Sequence, residues 1–180
     1  MSIEDDFDDE VTDVFRKTYG KVVGYLVNTG TDRGLAEEIA NDAFWAARQH
    51  WAHVRTLDKP EAYIFKIAIR ERGKRQKAHE ARAEHLDPDM PDQPGRDPGG
   101  GDPAGRLADR DALIQALQQL PLRLRAVIAL RDVEDLSVET TAEILGISPG
   151  TVKSQTSEGR QRLRPYLAEF RRRQPGRSDR

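Results

Sequence analysis

The stretch SVETTAEILGISPGTVKSQTSEGRQRLR, residues 137–164, decides the fold of this chain. Ser137 is suited to capping a helix N-terminus, and Gly146 can take the left-handed conformation that closes one. Ile147 follows, and Ser148-Pro149 then opens a further helix with a cap and a first-turn proline. Two short helices joined by a tight turn containing glycine make a helix-turn-helix. At about 100° per residue, Val152, Thr156, Gly159 and Leu163 fall on a single packing stripe of the second helix. Opposite them lie Gly150, Ser154, Ser157, Glu158 and Gln161. Lys153, Arg160 and Arg164 flank one side, and Thr151, Gln155 and Arg162 the other. Short polar groups between cations suit a helix lying in a DNA major groove, its middle reading base edges and its margins neutralising phosphates.

Working outward, this domain begins near Leu107. A helix carries Leu113, Leu117 and Leu120 and is expected to end at Pro121; another carries Leu124, Val127, Ile128 and Arg131. Residues 87–106 hold Pro88, Pro91, Pro94, Pro98, Pro103 and five glycines, with hardly an apolar side chain. Such a stretch cannot bury enough surface to offset ordering its backbone, and reads as a flexible linker. The expected organisation is all-α: a helical domain over residues 1–86, the linker 87–106, the helix-turn-helix domain 107–171 and a basic tail 172–180.

In the first domain Phe7, Val11, Val14, Phe15, Val22, Tyr25 and Leu26 recur at helical spacing. Thr31 or Asp32 can cap a second helix that runs to about His50. Its apolar arc holds Leu35, Ala36, Ile39, Ala43, Phe44, Ala46 and Ala47. Trp45 projects on the other side, among Glu37, Glu38, Asn41, Asp42 and Arg48. A tryptophan in that company is a candidate hot spot for a protein partner, although packing under the first helix would also account for it. A third helix starts near Pro60, with Asp58 as its cap, and runs past Arg75. It places Tyr63, Lys66, Arg70, Lys74 and Lys77 on one face, with Ile64, Ile67 and Ala68 toward the core. An aromatic among cations suits single-stranded nucleic acid, which stacks its bases and pairs its phosphates; a solvated basic helix explains the pattern equally well.

Composition sets the bounds. Of 180 residues 37% are hydrophobic and 33% charged, a thin core better suited to small helical bundles than to a sandwich or barrel. Net charge is only −2, but it is segregated: acidic residues crowd the first fifteen positions and residues 87–111, basic ones residues 66–77 and 153–180. That arrangement implies partners of opposite character. There are no cysteines, and the four histidines form no short ligand spacing, so no metal or other cofactor is expected. Without a Gly-rich phosphate loop or a catalytic dyad, an enzyme is not expected either. No apolar run approaches a membrane span, and the acidic start is the reverse of a signal peptide's, so a cytoplasmic protein is expected.

Together these residues resemble the extracytoplasmic-function (ECF) sigma factors. The string ALQQLPLRLRAVIALR at 116–131, then Leu136-Ser137, LGISPGTVKS at 145–154 and RQRLR at 160–164, resembles their region 4. AEEIANDAF at 36–44 is similar to the core-binding helix of region 2, and PEAYIFKIA at 60–68 to the start of its promoter-melting helix. The resemblance implies a factor that carries RNA polymerase core enzyme to promoter DNA and assists its opening. It implies −35 contacts from Thr151, Lys153, Ser154, Gln155, Ser157, Glu158, Arg160, Gln161 and Arg164. Strand-opening contacts would come from Tyr63, Lys66, Arg70, Lys74 and Lys77, and polymerase contacts from Glu37, Glu38, Asn41, Asp42 and Trp45. An anti-sigma factor is an expected partner. The chain departs from the family's usual pattern where Arg70 replaces asparagine, Asn41-Asp42 replaces glutamine-glutamate and Glu158 replaces arginine. A plain helix-turn-helix regulator, or a polymerase-binding adaptor without initiation activity, is the competing reading.

Overall fold

The computed structural model describes residues 3–83 and 104–173, all of its regular structure helical. Most of the expected linker and the tail beyond residue 173 lie outside the described residues. The elements are α1 (Ile3–Asn28), α2 (Arg33–Gln49), α3 (Trp51–Val54), α4 (Pro60–Ala83), α5 (Ala104–Gln118), α6 (Leu122–Ile128), α7 (Val138–Leu145) and α8 (Pro149–Arg173). They form two compact units, Met1–Val23 with Asp32–Gly99, and Gly24–Thr31 with Gly100–Arg180.

In the first unit α2 lies along α4. Asp32, rather than Thr31, caps α2, its carboxylate accepting from the backbone N–H of Gly34 at 2.9 Å and of Leu35 at 3.3 Å. Ala36, Ile39, Ala40, Ala43 and Ala47 are buried on α2, a run of small side chains that permits close helix approach. Ala62, Ile64, Phe65 and Ala68 are buried on α4. Phe65 belongs to this core and Ile67 only half enters it, whereas the sequence pattern put Ile67 inside. Leu35, expected on the buried arc, stands at its edge and is exposed. Phe15 stacks on Tyr19 with ring centroids 4.7 Å apart and meets Phe44 edge-on at 4.9 Å. Burial, reinforced by the Glu37 charge, pushes the Tyr19 phenol up, so it stays neutral across the physiological range. The short α3 was not foreseen; its Trp51 indole donates to Glu10 at 3.2 Å, and Arg55 donates to the same carboxylate at 2.6 Å.

In the second unit α5, α6 and α7 all pack on α8. Leu117, Leu120, Leu124, Ile128 and Leu163 form one apolar cluster, and Val127, Ala142 and Val152 a second under the helix-turn-helix. Gly159 is the point of closest approach between α6 and α8: a Cβ there would lie 2.6 Å from Cγ1 of Ile128. The first helix of this unit opens at Ala104 and stops at Gln118, so Pro121 does not end it but caps α6. Beyond Ile128 the chain widens into a π-helical turn, Ala129–Val133, closed by the Glu134 N–H donating to the Ala129 carbonyl at 2.9 Å.

The caps read from sequence for the helix-turn-helix are present, whereas Asp58, expected to cap α4, stands one residue outside the cap position, which Lys59 takes before Pro60. The Ser137 hydroxyl accepts from the Thr140 N–H at 3.0 Å, and the Ser148 hydroxyl accepts from the Thr151 N–H at 3.1 Å. Gly146 has φ +66°, and the Ile147 N–H reaches back to the Ala142 carbonyl at 3.1 Å, as in a Schellman closure. Gly146→Ala is therefore expected to cost about 1–2 kcal/mol, the strain of an L-residue in that conformation. Thermal unfolding should show Tm lowered by several degrees for alanine and by less for Gly146→Asn, since asparagine tolerates this region better. An alanine variant as stable as the parent would show that the turn does not depend on the left-handed residue.

Candidate nucleic-acid interface

The turn at Gly146 sets the direction of α8, and the buried stripe sets its rotation. Val152, Thr156, Gly159 and Leu163 are all buried, the Thr156 hydroxyl satisfied by donating to the Val152 carbonyl at 2.7 Å. The opposite face is thereby turned outward: Lys153, Ser154, Ser157, Arg160, Gln161 and Arg164 are exposed, while Thr151, Gln155 and Glu158 are half-buried. An α-helix with its side chains is about 10–12 Å across, the width of a B-DNA major groove, so this face matches a groove in size as well as in chemistry.

The two flanks of this face differ. On one, Arg131 from the π-helical turn joins Lys153, Arg160 and Arg164 around a cleft of about 540 Å³ whose other polar lining includes Ser157 and Gln161. No carboxylate lines it. Arg160 is held by a two-pronged pair with Asp132, at 2.8 and 2.6 Å, and that hydrogen bond pushes its guanidinium pKa up. Arg131 is anchored by donating to the Leu136 carbonyl. On the other flank Glu158 accepts from Arg162 at 2.9 Å and lies 3.8 Å from Arg123 of α6.

In the first unit α4 carries Lys66, Arg70, Lys74 and Lys77 exposed in one row, with Tyr63 half-buried at its start. The Tyr63 ring meets His53 edge-on, centroids 6.2 Å apart. Lys74 pairs with Glu71 at 2.6 Å, an exposed contact of little energetic weight. On α2 the Trp45 side chain is 60% exposed, so it is not packed beneath α1. Around it Glu38 and Asp42 both accept from Arg75 of α4, Asn41 is exposed, and the half-buried Glu37 pairs with Arg33 at 3.0 Å.

Each row read from sequence thus shares one surface of its own unit. Arg75, Arg123, Arg131 and Asp132 were missed as parts of these surfaces. The partners of Arg75, Arg123 and Asp132 lie on other elements, beyond any local pattern. Among the described residues, none form a group of three or more carboxylates or histidines able to hold a metal ion, and no helix is long and apolar enough to cross a membrane.

Residues 110–163 match the family described as Sigma-70, region 4. An ECF RNA polymerase sigma factor of Mycolicibacterium smegmatis, SigE, is 48% identical over 54 residues, 30% of this chain and 21% of that protein, so this chain spans about a fifth of its length. The RNA polymerase sigma-E factor of Streptomyces coelicolor is 30% identical over 135 residues, 73% of this chain and 71% of that one. The fold is similar to that of the sigma factor RpoE of Bartonella quintana, solved with the anti-sigma factor NepR. TM-score is 0.64 at 22% identity, over 91% of this chain and 97% of that one.

Proposed function

The chain belongs to the ECF type of RNA polymerase sigma factors, and from that premise we propose that it directs core polymerase to promoters in transcription initiation. The single observation that carries the reading is the outward face of α8, cationic at its margins and short and polar between them, on a capped helix-turn-helix. Thr151, Lys153, Ser154, Gln155, Ser157, Glu158, Arg160, Gln161 and Arg164 then form or border the −35 surface. Lys153, Arg160 and Arg164 meet phosphates, and Ser154, Ser157 and Gln161 meet base edges. Asp132 holds the Arg160 guanidinium in a fixed plane.

The α4 row of Tyr63, Lys66, Arg70, Lys74 and Lys77 is assigned to the unpaired strand of the −10 element, where an aromatic face and cations act together. Trp45, with Glu37, Glu38, Asn41 and Asp42, is assigned to polymerase. An anti-sigma factor would act by covering these same surfaces, and a linker that ends where α5 opens at Ala104 would let the two DNA contacts be made at once. The factor binds and positions rather than catalyses, and works in the cytoplasm.

The test is co-dependence. Labelled promoter fragments are titrated with the chain, with core polymerase and with both. Sequence-selective retention only with both is expected. Equal selectivity from the chain alone would make it a free-standing helix-turn-helix regulator instead.

A further inference from the structure

The outward face of α8 is electrically lopsided, and Glu158 makes it so. On the flank toward α7, four cations line a cleft, and a carboxylate, that of Asp132, lies against one of them, Arg160. On the flank toward α6 stand Arg123 and Arg162, and Glu158 lies against both, 2.9 Å from Arg162 and 3.8 Å from Arg123. Its side chain is 38% exposed and turned toward these arginines. The pairs are surface pairs and add little to stability. Their effect on DNA contact is local: Arg162 and Arg123 both face the same carboxylate, so a phosphate has to compete with Glu158 for them.

We infer that Glu158 is a clamp on phosphate contact: it occupies Arg162 and Arg123, leaving the helix to grip the DNA backbone through the α7 flank alone. This rests on the assignment of α8 to duplex DNA. It adds that a residue which need not touch DNA sets how many phosphates the domain engages. Binding is then weaker and less salt-sensitive than the count of arginines and lysines implies, and more of the discrimination falls to Ser154, Ser157 and Gln161.

Counterion release makes the number of engaged phosphates measurable, since log K falls against log salt by about 0.9 per contact. The full chain and Glu158→Gln are titrated onto a 30-base-pair duplex of mixed sequence across a salt series, and so are both with Arg123→Ala and Arg162→Ala added. Expected is a slope steeper by about 1 to 2 for Glu158→Gln, with tighter binding at low salt. That gain should vanish once the two arginines are also removed, whereas removing them with Glu158 present should change the slope little.

A gain that survives loss of both arginines would mean diffuse repulsion by Glu158 and no clamp. An unchanged slope with affinity lost only on particular sequences, in a parallel set of single-base promoter variants titrated with core polymerase present, would mean that Glu158 reads a base. Either result overturns the inference while leaving duplex binding by α8 in place. Absence of salt-dependent binding by the parent and every variant would instead remove the duplex assignment itself, and the inference with it.

Discussion

Replacing Lys66, Arg70 and Lys74 together by alanine is expected to lower promoter opening by a factor approaching about 100, with closed-complex binding much less affected. All three side chains are exposed on one row of α4, and the core beneath them, Ile64, Phe65 and Ala68, is untouched by the change. A screened phosphate contact contributes up to about 1 kcal/mol, so three contribute about 3 kcal/mol. The loss should also flatten the salt dependence of strand capture by about 2 in log–log slope, at roughly 0.7 per single-strand contact. Permanganate reactivity of unpaired thymines reads opening directly, and a filter assay on the same fragments reads closed complexes. Normal thymine reactivity with impaired closed complexes would move this row to duplex contact. Tyr63→Ala provides an independent check, because loss of one stacked base is worth about 1–3 kcal/mol and should leave the salt slope unaltered.

Trp45→Ala is expected to weaken binding to core polymerase by about 30-fold or more, the usual consequence of truncating a tryptophan hot spot worth about 2 kcal/mol. The side chain is 60% exposed, so circular dichroism and thermal unfolding should barely change. The helix that presents it is well held. Its far side is a buried row of alanines and Ile39, and its outer carboxylates Glu38 and Asp42 are tied across to Arg75 on α4. Trp45 therefore stands on a rigid support and loses little freedom on binding, which is what makes an exposed aromatic an effective anchor. A marked fall in helicity would place Trp45 in the folding core. Unchanged affinity with an intact fold would move the polymerase surface elsewhere.

What could be read in advance, and what could not, divides along one physical line. Ser137, Gly146 and Ser148-Pro149 announce their helices because a cap is made within three or four residues of itself. The stripe Val152–Thr156–Gly159–Leu163 was legible because helical period alone selects a face. Long-range pairs carry no such local signature. Asp132 and Arg160 are 28 residues apart, and Arg75 reaches Asp42 across 33. The same holds for Arg123 and Glu158, so in the sequence Glu158 stands only among the outward, DNA-facing residues of α8. The pair with Arg162, one turn along the same helix, points to a different role. The π-helical turn at Ala129–Val133 escaped for another reason: its residues are ordinary helix formers, and the widening shows only in the backbone, where the Glu134 N–H donates to the Ala129 carbonyl at 2.9 Å. Leu35 and Ile67 were misassigned at arc edges, where an angular pattern cannot decide between core and rim.

The central claim, that this chain confers promoter-specific initiation on core polymerase, is tested most directly by run-off transcription with purified core enzyme on fragments of its own genome. Discrete transcripts are expected from a small set of fragments, requiring both the chain and core polymerase, and lost when the Lys66, Arg70 and Lys74 row is replaced by alanine. Fragments bound by the chain without core, and no transcript from any of them when core is added, would contradict it.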